Sequence, residues 1–145
     1  NHPSEFLIAI INIVSILLPK FGVRQLESDV DCSDPSVTAA RAVDPLSYQG
    51  KVTARLGAEI NRASLYVQEK AQQITLPLLF VQGGADATVD PAGTQLLYDT
   101  VGSNDKTFKV YEGYYHEVFN EPEPRRNLVF NDIQVWLEAH IQLKS

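Results

Sequence analysis

The spacing of apolar residues changes near residue 75. Before that point, apolar residues either recur at spacings of three and four or fill nearly all of residues 6–18, which predicts helices. After it, short apolar runs end at glycines and alternate with helical segments, which predicts strands buried on both faces of a parallel sheet. We therefore expect a helical cap segment over residues 1–75 and part of an α/β core over residues 76–145.

The most apolar segment covers residues 6–18. As a helix it would be roughly 20 Å long, which is too short for a bilayer core about 30 Å thick. Asn12 and Ser15 are three residues apart and place a narrow polar stripe on this helix. Two interpretations stay open: a buried core helix, or a surface helix that contacts lipid or an apolar ligand.

Two more helices are expected in the first part, over residues 36–43 and about 51–73. Asp34 followed by Pro35 is typical of an N-cap and first helical position, and the Asp-Pro pair at residues 44–45 ends the first of these helices. The first part contains no strand pattern, so we expect it to be entirely helical.

The pattern of residues 76–145 predicts two strands and two helices. The strands are residues 76–83 and 107–111, and the helices cover about 91–101 and 124–143. A strand–helix–strand–helix order is typical of parallel sheets with helices packed outside. The expected core face of the last helix consists of Leu128, Ile133, Val135, Trp136 and Leu137.

Two parallel strands do not make a stable sheet alone, because each needs neighbours on both edges. A sheet of eight strands needs on the order of 200 residues at typical element and loop lengths. We therefore expect this chain to hold the final strands of a larger α/β fold whose N-terminal sheet half is absent from it.

The composition excludes several kinds of site. A formal net charge of -6 with acidic and basic residues interspersed provides no basic stripe for a phosphate backbone, so we expect no nucleic-acid partner. Cys32 is the single cysteine, which excludes an internal disulfide and a zinc site built on several thiolates.

Two ionisable residues follow the two predicted strands. Asp86 comes after Gly83 and Gly84, and His116 comes after Gly113. Ligands of open α/β sheets bind beyond the carboxyl ends of the strands, so these side chains should lie side by side. A carboxylate beside the Nδ1–H of imidazole fixes the tautomer that accepts a proton at Nε2. Asp86 and His116 are therefore the predicted acid and base of a hydrolase triad.

Other ionisable residues are weaker candidates. Asp90 is a rival acid, although its Asp-Pro context suits a helix N-cap. Glu117 adjoins His116 but should point elsewhere, while His140 and His2 have no partner evident in the sequence. Taken alone, an aspartate or histidine in such positions is commonly structural.

The motifs of this chain together resemble a known family. LPLLFVQGGAD at residues 76–86, KTFKVYEGYYHE at 106–117 and FNDIQVWL at 130–137 are similar to the C-terminal half of the monoglyceride lipases and related lysophospholipases of the α/β-hydrolase superfamily. DPLSYQGKVTARL at residues 44–56 resembles the cap segment of that group.

The resemblance implies a serine ester hydrolase of monoacylglycerols or similar single-chain lipids, with no metal or organic cofactor. Asp86 falls at the acid of that family and His116 at its base. Residues 6–18 correspond to the lid helix, which in the family lines the acyl tunnel and meets membranes. The implied substrate-binding residues are Phe6, Ile10, Ile13, Val14, Leu17 and Thr88.

The nucleophile of the family is missing from the sequence. It lies in a G-x-S-x-G elbow, and no such pentapeptide occurs here. Because the chain order in the family is Ser, Asp, His, we expect the missing parts upstream of residue 1 and expect this chain alone to be inactive. The missing half, in the same or a separate chain, is then a required partner.

Two other functions stay open. The same fold could serve an esterase or peptidase acting on small polar substrates, or the chain could be a noncatalytic interaction fragment that docks through residues 6–18. The expected location is cytoplasmic or at a membrane surface.

Overall fold

The computed structural model describes residues 5–25 and 31–142, which fall into two units. Residues 5–25 and 45–70 belong to the first unit, and residues 31–44 and 71–142 belong to the second. The cap and core segments divided at residue 75 stay a prediction. His2 lies outside the described residues.

The first unit combines two helices with a small antiparallel sheet. Helix α1, Glu5–Leu17, packs against helix α3, Ala54–Lys70. Strand β1, Gly22–Gln25, pairs with strand β2, Lys51–Thr53.

The expectation of an entirely helical first part was therefore wrong, as was the helix start at residue 51. Residues 51–53 pair with β1, and the amide of Ala54 donates to the carbonyl of Phe21 over 2.8 Å. A partner about thirty residues away thus overrides the helical spacing, and two of the three residues in the K-V-T strand are β-branched.

Helix α1 exposes much of its apolar surface. Phe6, Ile13 and Leu17 are 75%, 58% and 71% exposed, whereas Ser15 is buried and its hydroxyl donates to the carbonyl of Asn12. In the described chain, α1 is therefore not a buried core helix. None of the described helices combines the length and apolar character that crossing a membrane requires.

The second unit contains the predicted strand–helix succession. Strand β3, Leu78–Gly83, and strand β4, Lys106–Tyr111, pair in parallel with Gly83 opposite Tyr111. Helix α2, Pro35–Val43, and helix α4, Pro91–Thr100, precede the last helix, α5, Arg125–Gln142. The strands, their parallel pairing and the three helices are confirmed.

Helix caps follow the local sequence. The side chain of Asp34 accepts a hydrogen bond from the amide of Ser36 at the start of α2, and the side chain of Asp90 accepts one from the amide of Ala92 at the start of α4. Both caps have proline at the first helical position, where a missing N–H costs no hydrogen bond.

The core of the second unit lies around the C-terminal end of β4. Its buried residues are Tyr111, Tyr114, Val118 and Val129, against which Val81 and Ile133 pack. The predicted core face of α5 was correct for Ile133 but wrong for Leu128, Val135 and Leu137, which are exposed, and it omitted Val129. Apolar residues surround α5 on all sides, so their spacing could not select one face.

His140 on α5 has two partners that the sequence did not reveal. Its Nδ1 lies 2.6 Å from the carbonyl oxygen of Trp136, and its Nε2 lies 3.0 Å from a carboxylate oxygen of Asp105. Imidazole can donate to both acceptors only when it is protonated. Both bonds raise the pKa of His140, and the bond to Trp136 has the larger effect.

A raised pKa makes the contribution of His140 to stability depend on pH. The contribution is full below the pKa of the unfolded chain and is lost as pH rises through the raised pKa of the folded protein. Replacing His140 with glutamine should therefore lower the melting temperature more at about pH 5.5 than at about pH 8.5. Thermal unfolding followed by circular dichroism at both pH values checks this, and an equal loss at both would contradict it.

Candidate functional site

Glycines bring the loops after β3 and β4 into contact. A Cβ on Gly83 would overlap the backbone carbonyl oxygen of Tyr115, so only glycine fits at this position. Gly113 has a φ of 73°, in the left-handed region that favours glycine. The amide of Ala85 also donates to the carbonyl of Tyr114 over 2.9 Å. The two loops are therefore fixed against each other by their backbones.

This packing places Asp86 beside His116. Oδ2 of Asp86 lies 2.8 Å from Nδ1 of His116. Because an ionised carboxylate can only accept, Nδ1 must carry the proton in this contact. The adjacency expected from the two strand ends is therefore present, with Nδ1 as the nitrogen that faces the acid.

Asp86 is held by four donors. Its Oδ1 accepts from the amides of Thr88 and Val89, both over 2.9 Å, and its Oδ2 accepts from Nε2 of Gln82 over 2.8 Å as well as from His116. The side chain is 2% exposed. Burial alone would raise the pKa of Asp86, but these hydrogen bonds outweigh it and lower the pKa. Asp86 is thus kept as an oriented anion.

The His116 side chain is partly open to solvent. The side chain is 39% exposed, and within the described part of the chain no group hydrogen-bonds to Nε2. With the proton on Nδ1, Nε2 carries a free lone pair. The arrangement can accept a proton at Nε2 and stabilise the resulting imidazolium with the carboxylate of Asp86.

A charged network that sequence reasoning missed adjoins this pair. Arg41 on α2 bonds to Asp31 over 2.9 Å and also to the carboxylate of Glu117. Asp31 accepts from the hydroxyl of Thr88 over 2.8 Å, and the amide of Glu117 donates to the backbone carbonyl of Asp31 over 2.7 Å. The network ties α2 to the loops that carry Asp86 and His116.

Glu121 forms a second connection that the sequence did not indicate. Its carboxylate is fully buried and accepts from the hydroxyl of Ser33, from the amide of Tyr115 over 2.8 Å and from Arg125 over 3.0 Å. Because Tyr115 directly precedes His116, this buried carboxylate fixes the backbone beside the predicted base.

Two other predicted site residues, Asp90 and Thr88, have side-chain partners of their own. Asp90 caps α4, and the hydroxyl of Thr88 donates to Asp31. The predicted substrate-binding residues on α1 belong to the first unit, and those with the greatest exposure are Phe6, Ile13 and Leu17. The substrate-binding role of these residues stays a prediction.

Cys32 is not prepared as a nucleophile. Its thiol is buried and donates to the carbonyl of Asp34 over 3.5 Å. Burial, together with the charges of Glu117 and Glu121, raises the pKa of this thiol, so it stays protonated at neutral pH. Within residues 5–25 and 31–142, no group of three or more His, Cys, Asp or Glu side chains is placed to hold a metal ion.

Comparison with known proteins identifies relatives among ester hydrolases. The monoacylglycerol lipase of Mycolicibacterium smegmatis is 38% identical over 138 residues, which cover 95% of this chain and 49% of the relative. The caffeoylshikimate esterase of Arabidopsis thaliana is 34% identical over 75% of this chain and 33% of its own length. The chain thus spans at most about half the length of these curated relatives.

A solved structure supports the fold. The crystal structure of Paleococcus ferrophilus monoacylglycerol lipase matches 95% of this chain and 53% of that chain, with a TM-score of 0.82 at 24% sequence identity. The chain therefore has part of an α/β-hydrolase fold, and the resemblance to the monoglyceride lipase group is confirmed. The family described as serine aminopeptidase S33 matches residues 1–123, and the chain belongs to that family of α/β-hydrolases.

Proposed function

We propose that this chain carries the acid and base of a serine ester hydrolase acting on monoacylglycerols or similar single-chain lipid esters. The observation that carries the proposal is the contact of 2.8 Å between the buried carboxylate of Asp86 and Nδ1 of His116, whose side chain is partly exposed. This is the geometry in which imidazole serves as a general base.

In the proposed reaction, Nε2 of His116 takes the proton of a serine hydroxyl as the serine oxygen attacks the ester carbonyl. Asp86 stabilises the imidazolium, which then protonates the departing alcohol, so that an acyl-serine remains. In the second half, His116 takes a proton from water as the water oxygen attacks the acyl carbon, and the imidazolium returns that proton to the serine oxygen as the fatty acid is released. The nucleophilic serine and the donors for the oxyanion belong to residues outside this chain.

The lipid substrate is supported by the relatives and by α1. Relatives named for monoacylglycerol hydrolysis match most of the chain, and α1 presents Phe6, Ile13 and Leu17 largely exposed. Removing an acyl chain from water contributes about 0.8 kcal/mol per methylene, so an apolar helix face suits a long chain. Contact of residues 6–18 with a membrane surface belongs to the same proposal.

The first test uses the polypeptide encoded by the complete open reading frame. A fluorophosphonate should label one serine, and monoacylglycerols should be hydrolysed faster than short water-soluble esters. A preference for small polar esters or peptides would show that the substrate is not a lipid. The absence of both labelling and hydrolysis would contradict the proposed enzyme activity. The isolated 145-residue chain should show neither, because it lacks the G-x-S-x-G elbow.

A further inference from the structure

Gln82 is a buried polar residue in an otherwise apolar strand. It is 6% exposed and follows Leu78, Leu79, Phe80 and Val81 in β3. A buried amide costs free energy unless its donors and acceptors are paired. Its place one residue before the glycine turn that leads to Asp86 therefore calls for a physical reason.

Three hydrogen bonds account for the amide of Gln82. Nε2 donates to Oδ2 of Asp86 over 2.8 Å and to the carbonyl of Gly83 over 3.2 Å. Oε1 accepts from the hydroxyl of Thr94 on α4 over 2.6 Å. Both neighbours of Nε2 are acceptors, so the amide cannot turn over, and the hydroxyl of Thr94 must donate.

The two carboxylate oxygens of Asp86 are held differently. Oδ1 is held by the backbone amides of Thr88 and Val89, within the same loop as Asp86. Oδ2 receives His116 and Gln82. Without Gln82, Oδ2 of Asp86 would lose its bond to the sheet. Its remaining partner would be His116, whose side chain is partly exposed.

We propose that Gln82 and Thr94 are positioning residues that hold the carboxylate of Asp86 in the orientation required by His116. The proposal deepens the proposed function and rests on it. Thr94 acts through Gln82, and Gln82 acts through Asp86, so neither contacts the substrate. The chain of contacts runs from α4 through β3 to the base.

The test replaces Thr94 with valine in the complete polypeptide. Valine preserves the shape of threonine but cannot donate to Oε1 of Gln82. Loss of one buried hydrogen bond should lower kcat about 3- to 10-fold with KM unchanged. Thr94→Ser keeps the hydroxyl and should restore kcat, while Gln82→Leu should lower kcat about 10- to 100-fold because it removes a bond to a charged group.

Thr100→Val is the matched control. It makes the same change on the same helix, but the hydroxyl of Thr100 donates to the carbonyl of Leu96 over 2.7 Å and has no connection to Asp86. This variant should keep the wild-type kcat. If Thr94→Val and Thr100→Val give the same kcat while both remain folded, the positioning role is contradicted.

A second readout does not need turnover. The Nδ1–H of His116, identified by its absence in His116→Gln, should exchange faster with water in Thr94→Val than in Thr100→Val. Proton NMR of the folded variants measures this exchange. If the wild type hydrolyses no ester and takes no label, the proposed function fails, and the exchange rates still decide whether Thr94 and Gln82 position Asp86. Equal exchange in both valine variants would overturn the inference.

Discussion

Replacing His116 with glutamine in the complete polypeptide should lower kcat for monoacylglycerol hydrolysis by on the order of 10⁴-fold or more. Nε2 of His116 is the group that accepts the proton of the serine in the proposed reaction, and glutamine has no basic nitrogen. Fatty-acid release at saturating substrate measures kcat, and circular dichroism verifies that the variant is folded. Activity within about tenfold of wild type would mean that another group is the base.

The variants Asp86→Asn and Asp90→Asn together test which aspartate is the acid that pairs with His116. The first substitution would remove the anion that requires the proton on Nδ1 of His116, so kcat should fall by about 10⁴-fold. Asp90 accepts from the amide of Ala92 as an N-cap, a role that asparagine also fills. Asp90→Asn should therefore keep activity close to wild type. A large loss of kcat in Asp90→Asn with little loss in Asp86→Asn would show that Asp90 is the acid.

Replacing Glu121 with alanine should lower the free energy of unfolding by about 2–4 kcal/mol, since removing this buried carboxylate leaves its donors unpaired. The amide of Tyr115 and the hydroxyl of Ser33 would lose their acceptor, and Arg125 would lose its carboxylate. Urea unfolding of the complete polypeptide measures the change. Glu121→Gln should lose less, because its amide oxygen still accepts from Tyr115.

Glu123→Ala is the control for this prediction. Glu123 pairs with Arg126 at the surface, where ion pairs contribute little, so the urea midpoint should stay near that of the wild type. If Glu123→Ala and Glu121→Ala lowered the free energy of unfolding equally, burial of Glu121 would not be the cause of its loss of stability.

The pH dependence offers a second check on Glu121. Burial alone would raise the pKa of Glu121, but hydrogen bonds from Ser33, Tyr115 and Arg125 lower it below 4.5. A carboxyl with a lowered pKa contributes stability that is full above its ordinary pKa and is lost as pH falls through the lowered value. The advantage of the wild type over Glu121→Gln should therefore be full at neutral pH and shrink in acid below about pH 4.5.

Local signals were sufficient for much of the second unit. Asp34 and Asp90 cap helices that the sequence predicted, since an N-cap depends on a few adjacent residues. Strands β3 and β4 were predicted from apolar runs that end at glycine turns. Once both strands are taken as parallel neighbours, their carboxyl ends share one edge, and Asp86 and His116 become neighbours without further information.

Local signals failed where a distant partner decides the conformation. Residues 51–53 have helical spacing, but β1 is available to pair with them. The apolar residues of α5 surround the helix, so the core at Val129 was selected by what packs against it. In both places several conformations satisfy the local pattern, and long-range contacts select one: strand pairing for residues 51–53 and burial for α5.

The sequence by itself determined the order of elements in the second unit, their caps and the two side chains that follow the strands, because these depend on spacing and on neighbouring residues. Only the tertiary structure decided what holds those side chains. Arg41 lies 76 positions from Glu117, and Ser33 lies 88 positions from Glu121. Polar and charged residues so far apart look like ordinary surface positions in a sequence, since only folding determines which polar groups lose water and need a partner.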